Sequence, residues 1–179
     1  MDSIRICSRC ILDTTVPEIS FDSDGVCSFC KIHDSLEKIH PLNEEGNRNF
    51  LSLIKRIKKE GENKEYDCIV GVSGGRDSTY TLFMAVEMGL KPLAVHFDNG
   101  WNSEIAVSNI KNAIEKLDVD LYTVVADWEE FKDLQKAFLR ASVPDAEVPT
   151  DYAIISALMQ TANKFNVKFI FNGHSFRTE

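Results

Sequence analysis

From Tyr66 onward the chain alternates short apolar runs with amphipathic stretches, and that alternation narrows the fold more than any other feature. "DCIVGV", "KPLAVHF", "LYTVV" and "VKFIFN" have strand length and strand composition. Between them, residues 77–88 read as a helix closed by Gly89. Residues 103–117 read as another, capped by Ser103 and burying Ile110, Ala113, Ile114 and Leu117. Residues 128–140 place Trp128, Phe131, Leu134 and Phe138 inward, and a last helix puts Ile155, Leu158, Met159 and Ala162 on one face. Such alternation means α/β, a doubly wound parallel sheet with helices on both faces and right-handed crossovers.

The first 66 residues follow other rules. Four of the five cysteines form two pairs, Cys7/Cys10 and Cys27/Cys30, with 16 residues between the pairs. Two thiolates two residues apart on a tight knuckle reach one tetrahedral Zn²⁺, and four close its shell, so the expectation is a structural zinc ribbon. "FDSDGVC" supplies a turn between the knuckles. His33 lies three residues past Cys30 and reads as a surface residue, since no ligand position is left for it. Residues 1–40 thus form a zinc module too short to fold without metal. Residues 41–66 form a linker helix with Phe50, Leu53, Ile54 and Ile57 at helical spacing, stopped near Gly61. Residues 67–179 form the α/β domain. The chain ends in "NGHSFRTE", directly after a strand, where such a fold continues; a piece of a longer protein is expected.

With 44% apolar and 27% charged residues the chain reads as an ordinary globular protein. Its apolar runs stop far short of the roughly 18–20 residues needed to span a bilayer, and "MDSIRICSRC" has no signal-peptide pattern. A cytoplasmic location without membrane contact is expected. The net charge of −8 argues against a large nucleic-acid surface. The basic run "KRIKK" at residues 55–59 lies on an amphipathic helix and reads as a solvated face, with RNA contact as the alternative.

The strand "DCIVGV" leads into "GVSGGRDSTY", a glycine-rich turn that opens a helix. Doubly wound folds bind nucleotides there, at the carboxyl end of the first strand. The pattern is neither GxxxxGK[ST] nor GxGxxG. It offers backbone amides, the hydroxyls of Ser73 and Ser78, and a helix N-terminus, which together make an anion site. Gly74 and Gly75 let the backbone approach the anion closely. Asp77 would repel bare phosphate, so it either caps the helix or shares a divalent cation with the phosphates, and both roles are compatible. "HFDNGWNS" closes the second strand, which puts Phe97 and Asp98 at the edge where a nucleotide would bind; Asp98 either takes ribose hydroxyls or only shapes an Asp-Asn-Gly turn. His96 reads as a core histidine. The loop at residues 141–150 is either a substrate or partner contact or an ordinary surface loop.

"SGGRDS" resembles the SGGxDS loop of the PP-loop ATP pyrophosphatases, a Rossmann-like (HUP-type) superfamily that cleaves ATP between its α- and β-phosphates. That resemblance implies ATP and Mg²⁺ as co-substrate and cofactor. Gly71, Val72, Ser73, Gly74, Gly75, Asp77 and Ser78 would hold the nucleotide, with Asp77 on magnesium and Ser73, Arg76 and Asp77 in the chemistry. "NGHS" resembles the superfamily's GH motif near the α-phosphate, which implies Gly173 at the nucleotide and His174 assisting adenylation.

The wider set, "CSRCILDTTVPEISFDSDGVCSFCKIHD", "GVSGGRDST", "HFDNGWNS", "VPTDYAI" and "FNGHSFRTE", is similar to the N-acetyl sugar amidotransferases of bacterial surface-polysaccharide (lipopolysaccharide, O-antigen) synthesis. The resemblance covers nearly the whole chain. It implies adenylation of an acetamido group on a nucleotide sugar, followed by displacement of AMP by ammonia from a separate glutaminase partner. Two alternatives stay open: a tRNA-thiolating PP-loop enzyme, and a nucleotide-binding module without chemistry. The first wants spare cysteines, and only Cys68 lies outside the ribbon, inside a strand.

Overall fold

The structure is a computed structural model that describes residues 4–177. Two compact units emerge, one of residues up to Leu51 together with the segment from His174, the other Ser52–Gly173. The boundary falls inside a helix that sequence reading treats as one linker.

In the first unit the knuckles are held by isolated antiparallel bridges, Ile6 with Asp13 and Phe21 with Cys27. Helix α1 (Ser28–Ile39) springs from the second knuckle. This helix is absent from the sequence reading, because its apolar residues bury nothing completely: Phe29, Ile32 and Ile39 all remain exposed. Instead of a core, ion pairs tie it down. Arg9 grips Asp34 with two parallel bonds of 2.5 and 2.6 Å, and Lys31 pairs with Asp22 at 2.9 Å. The segment after Gly173 returns here: Phe176 meets the rings of His33 and His40, and Arg177 bonds Glu37 and the His40 carbonyl.

Helix α2 (Glu44–Glu60) begins in this unit and ends in the second, where only Ile54 and Ile57 of its expected apolar face are buried. The second unit then runs β1 (Cys68–Gly71), α3 (Arg76–Glu87), β2 (Pro92–Asp98), α4 (Glu104–Leu117), β3 (Leu121–Val125), α5 (Trp128–Arg140), α6 (Val148–Lys164) and β4 (Ile170–Phe171). The strands form one parallel sheet in the order β3-β2-β1-β4, which is the expected fold. Strand parity sorts side chains between two cores. Cys68, Val70, Val72 and Ala94 pack with Ile54, Ile57, Leu82, Ala85 and Ile110 on one face. Ile69, Leu93 and Val95 pack with Leu158 and Ala162 of α6 on the other.

Two helix faces differ from the periodic reading. On α6 the buried stripe is Ala157, Leu158, Thr161 and Ala162, while Ile155 and Met159 stand in solvent. Leu158 and Ala162 of this stripe pack in the core of Ile69, Leu93 and Val95, and a side chain at Gly71 would be in contact with Leu158 at 3.4 Å. On α5 only Phe131 is buried; Trp128 and Leu134 are exposed. The start of α6 also moves. Val148 to Thr150 form its first turn, where the missing N–H of Pro149 costs nothing, so the connecting loop is shorter than expected. No helix among the described residues is long and apolar enough to cross a membrane.

Candidate nucleotide loop and cysteine cluster

β1 ends at Gly71, and the chain must turn within four residues to start α3 at Arg76. Gly74 makes that turn with φ of +77°, in the left-handed region that favours glycine. Space demands glycine as well, since a Cβ there would lie 2.3 Å from the Ala106 carbonyl oxygen of α4. From the same helix Asn109 donates its side-chain N–H to the Gly74 carbonyl at 3.0 Å. The loop is therefore clamped from behind by α4. Sequence reading missed Ala106 and Asn109, which carry no motif; an asparagine on a polar helix face was their only signal.

The residue capping α3 is Gly75, which has no side chain to offer. Asp77 sits in the first helical turn rather than at the cap, so the capping role is removed for it. Its carboxylate pairs with Arg76 at 3.2 Å, and both groups are exposed. Ser73 and Ser78 face each other across the turn with their hydroxyl oxygens 3.1 Å apart, and the Ser73 N–H donates to Ser78 Oγ at 3.1 Å. Thr79 returns its hydroxyl to the Gly75 carbonyl at 2.8 Å. These bonds set the loop's shape while the exposed backbone amides at the head of α3 keep their positive dipole end outward, which is anion-binding chemistry.

Buried His96 donates Nδ1–H to the Val72 carbonyl at 3.0 Å, which fixes its tautomer and props the root of the loop. It is the core histidine expected, with a bracing task added. Gly173 lies against the same turn: a Cβ on it would sit 3.1 Å from the Ser78 nitrogen and from the Asp77 carbonyl carbon. Val72, Gly71, Ser73, Gly74, Gly75, Arg76, Asp77, Ser78 and Gly173 are thus gathered at one end of β1. His174 falls in the other compact unit. Asp98 accepts from Gly100 N–H and from Asn102, both at 2.9 Å and both on Oδ1, so it shapes its turn. Phe97 is half-buried, edge-on to Phe131 with ring centres 5.8 Å apart. A groove of about 670 Å³ opens between α3 and α4 beside the loop, with Arg76 and Lys116 as its cations and Tyr80 and Phe83 on its wall.

In the first unit the sulfurs of Cys7, Cys10, Cys27 and Cys30 all lie within 4.8 Å of one another. Cys10 and Cys27 are 3.7 Å apart and Cys7 and Cys30 4.0 Å. Sulfurs at about 2.3 Å from a tetrahedral zinc lie about 3.8 Å from each other, so the cluster fits that ion. Burial pushes the Cys7 thiol up, but the backbone N–H groups of Arg9 and Cys27 aimed at its sulfur outweigh this and bring it down to about 6. Burial and the neighbouring sulfurs push Cys30 up to about 12, which a cation among them reverses. His33 is no part of the cluster.

The same fold is found in the glutamine-dependent NAD+ synthetase of Acinetobacter baumannii, solved with ADP: 22% identical, TM-score 0.51, covering 65% of this chain and 23% of that one. NMN synthetase from Francisella tularensis is 19% identical with a TM-score of 0.46, covering 68% and 52%. The uncharacterized protein MJ1599 of Methanocaldococcus jannaschii is 26% identical over 170 residues, 94% of this chain and 58% of that protein. The chain therefore spans less than two thirds of that curated relative. Residues 67–169, more than half of the 179, match a family described as queuosine biosynthesis protein QueC. That match runs from the root of β1 to the foot of β4 and contains the SGGRDS loop; the chain belongs to the QueC family, within the PP-loop ATP pyrophosphatase superfamily.

Proposed function

We propose that the whole protein is an ATP-dependent amidotransferase that converts the acetamido group of a nucleotide sugar to an acetamidino group. The observation that carries an adenylating activity is the uncapped α3 terminus, joined to the serine pair and to Asp77 in SGGRDS. An amide oxygen is a poor leaving group, so it is first made a phosphoryl ester. The amide oxygen attacks the α-phosphorus of ATP, the α–β bridge breaks, and pyrophosphate departs. Ammonia then forms a bond to the amide carbon, the carbon–oxygen bond breaks, AMP leaves with that electron pair, and the nitrogen sheds its proton to give the amidine.

In this reading the loop amides, Ser73, Ser78 and Arg76 hold the departing pyrophosphate, and Asp77 supplies a carboxylate for Mg²⁺, which neutralises phosphate charge when bound. Asp98, Phe97 and Gly173 complete the nucleotide site, and a part for His174 in adenylation rests on the GH resemblance alone. Preorganised dipoles and exclusion of water supply the catalysis, with no nucleophilic side chain. Ammonia comes from a glutaminase partner. The zinc module within residues 1–40 is structural, and the nucleotide domain begins at residue 67 and carries the sheet and the glycine loop.

The buried position of Cys68 disfavours thiolation. It is fully inside β1, with its thiol pushed up by burial and by Asp67, and so unsuited to carry sulfur. The family match favours a second reading, a step of queuosine biosynthesis as that family's name states. ATP–pyrophosphate exchange on the full-length gene product separates the readings. Exchange is expected with an acetamido nucleotide sugar and is lost in Asp77→Ala and Ser73→Ala. Exchange only with a queuosine precursor or only with unmodified tRNA overturns the amidotransferase in favour of the corresponding rival.

A further inference from the structure

Past Asp98 the chain builds a second feature on the same edge of the sheet. Trp101 leaves 59% of its surface in solvent, yet it is held in place at several points. Its backbone N–H donates to Asn99 Oδ1 at 3.0 Å, and Asn99 in turn donates to Thr150 Oγ1 at 3.4 Å. Its indole N–H donates to Gln135 Oε1 at 3.1 Å, and Gln135 is fixed by donating to the Ala146 carbonyl at 3.1 Å. Trp128, itself 40% exposed, braces it edge-on with ring centres 5.0 Å apart. Gly100 lets the rings meet: its φ is +81°, and a Cβ there would sit 2.7 Å from the Trp128 ring. Lys132 stands 5.6 Å from the centre of the Trp128 ring.

An indole kept in water forgoes the stabilisation that burial would bring. Here it is also immobilised through bonds reaching α5 and α6, so the ordering cost of binding is met in advance. The ring's N–H is already satisfied, which leaves its π-face to act. Asn99 and Gln135 accept its two N–H groups and Trp128 meets its ring edge-on, which holds one indole in a fixed orientation, and a single oriented ring suits a planar small-molecule ring better than a protein partner. Trp101 follows β2 and Trp128 opens the helix after β3, whereas the glycine loop follows β1. Those carboxyl ends lie one to two strand spacings apart, about 5–10 Å. One nucleotide can span that distance.

We infer that Trp101, braced by Trp128 and Gln135, is the stacking platform for the heterocyclic base of a nucleotide bound at the carboxyl edge of the sheet. The inference rests on the nucleotide reading of the glycine loop. A base can arrive there on ATP or on a nucleotide-linked acceptor, and both offer the same face to the indole.

The test is calorimetry and tryptophan emission on the full-length protein with three probes: MgATP, UDP-N-acetylglucosamine, and magnesium pyrophosphate, which has no base. In these 179 residues the pair is the whole tryptophan complement, and Trp101→Phe traces its share of the emission. At least one base-bearing probe is expected to quench the Trp101 signal, and which one does so names the source. Trp101→Leu keeps apolar bulk without the aromatic face, and is expected to weaken that probe about five-fold to a hundred-fold, the worth of one base stacked on an aromatic. Trp101→Phe is expected to retain most of the affinity, and pyrophosphate binding stays unchanged in both variants. Equal nucleotide affinities in wild type and Trp101→Leu, with pyrophosphate still bound, would overturn the stacking role and leave the loop reading intact. If neither pyrophosphate nor either nucleotide binds wild type, the loop reading falls and this inference with it.

Discussion

The two compact units are stabilised in opposite ways. The sheet unit is built around residues such as Ile69, Leu82 and Cys68 with no exposed surface, and its strands sort side chains into two cores. Among its described residues the cysteine unit buries almost nothing beyond Cys7 and Cys27 and leaves Ile4, Ile6 and Ile11 in solvent. Its order comes from four convergent sulfurs and surface ion pairs. The lesson is one of scale. A segment of about 50 residues lacks the volume for a core, so a metal or crosslink must replace it.

The sharpest way to break this comparison is to remove the metal chemistry. Cys27→Ser, or chelation, is expected to unfold the first unit outright, since structural zinc supplies about 10–16 kcal/mol in small zinc modules. Residue-resolved hydrogen exchange should then show lost protection around Cys7 to Ile39 and retained protection in β1 and β2. Simultaneous loss in both units would mean that they fold as one. In the sheet unit Leu82→Ala should cost about 2–5 kcal/mol in urea denaturation, because Leu82 is wholly buried between α3 and the sheet. No equivalent substitution exists on α1, where nothing is buried.

Smaller effects probe the loop. Gly74→Ala forces a side chain into a positive φ and against Ala106, a strain of about 1–3 kcal/mol, and should lower the melting temperature while abolishing pyrophosphate binding. Asn109→Ala removes one bond to the Gly74 carbonyl, worth about 0.5–1.5 kcal/mol. A few-fold weaker pyrophosphate affinity by calorimetry is expected, with the melting temperature nearly unchanged. The smallest effect concerns Asp34, whose carboxyl Arg9 holds below the usual range. A depressed carboxylate stabilises the fold above its ordinary titration range, and the contribution fades as pH falls through the lowered value. Asp34→Asn should therefore slightly destabilise the first unit at neutral pH and erase that acid-side slope in pH-dependent melts.

What could be read in advance follows from how local each signal is. The strands near Ile69, Val95 and Val124, the loop at Gly74 and the four-cysteine cluster are set by short-range pattern: periodicity, a turn that requires glycine, or two knuckles. Helix faces were less legible. On α6 the large apolar residues Ile155 and Met159 looked inward by spacing, but the row of Ala157, Leu158, Thr161 and Ala162 is buried instead, with Leu158 and Ala162 packed in the core of Ile69, Leu93 and Val95. On α5, Trp128 is drawn off the core by Trp101 and Gly100, residues 27 and 28 positions away. Helix α1 was missed because ion pairs with Arg9 and Asp22 replace the buried stripe that periodicity detects.

By itself the sequence determined the α/β class, the place of the glycine loop at the end of the first strand and the identity of the four sulfur donors. Each of these rests on residues close in sequence, whose backbone requirements are the same in any surroundings. Only the tertiary structure decided that Gly75 rather than Asp77 caps α3, that Ala106 and Asn109 grip the loop from behind, and that Trp101 is held out in solvent by Gln135 and Trp128. Those outcomes depend on which surfaces meet across the sheet edge, and packing between distant residues leaves no period or spacing for a sequence to display.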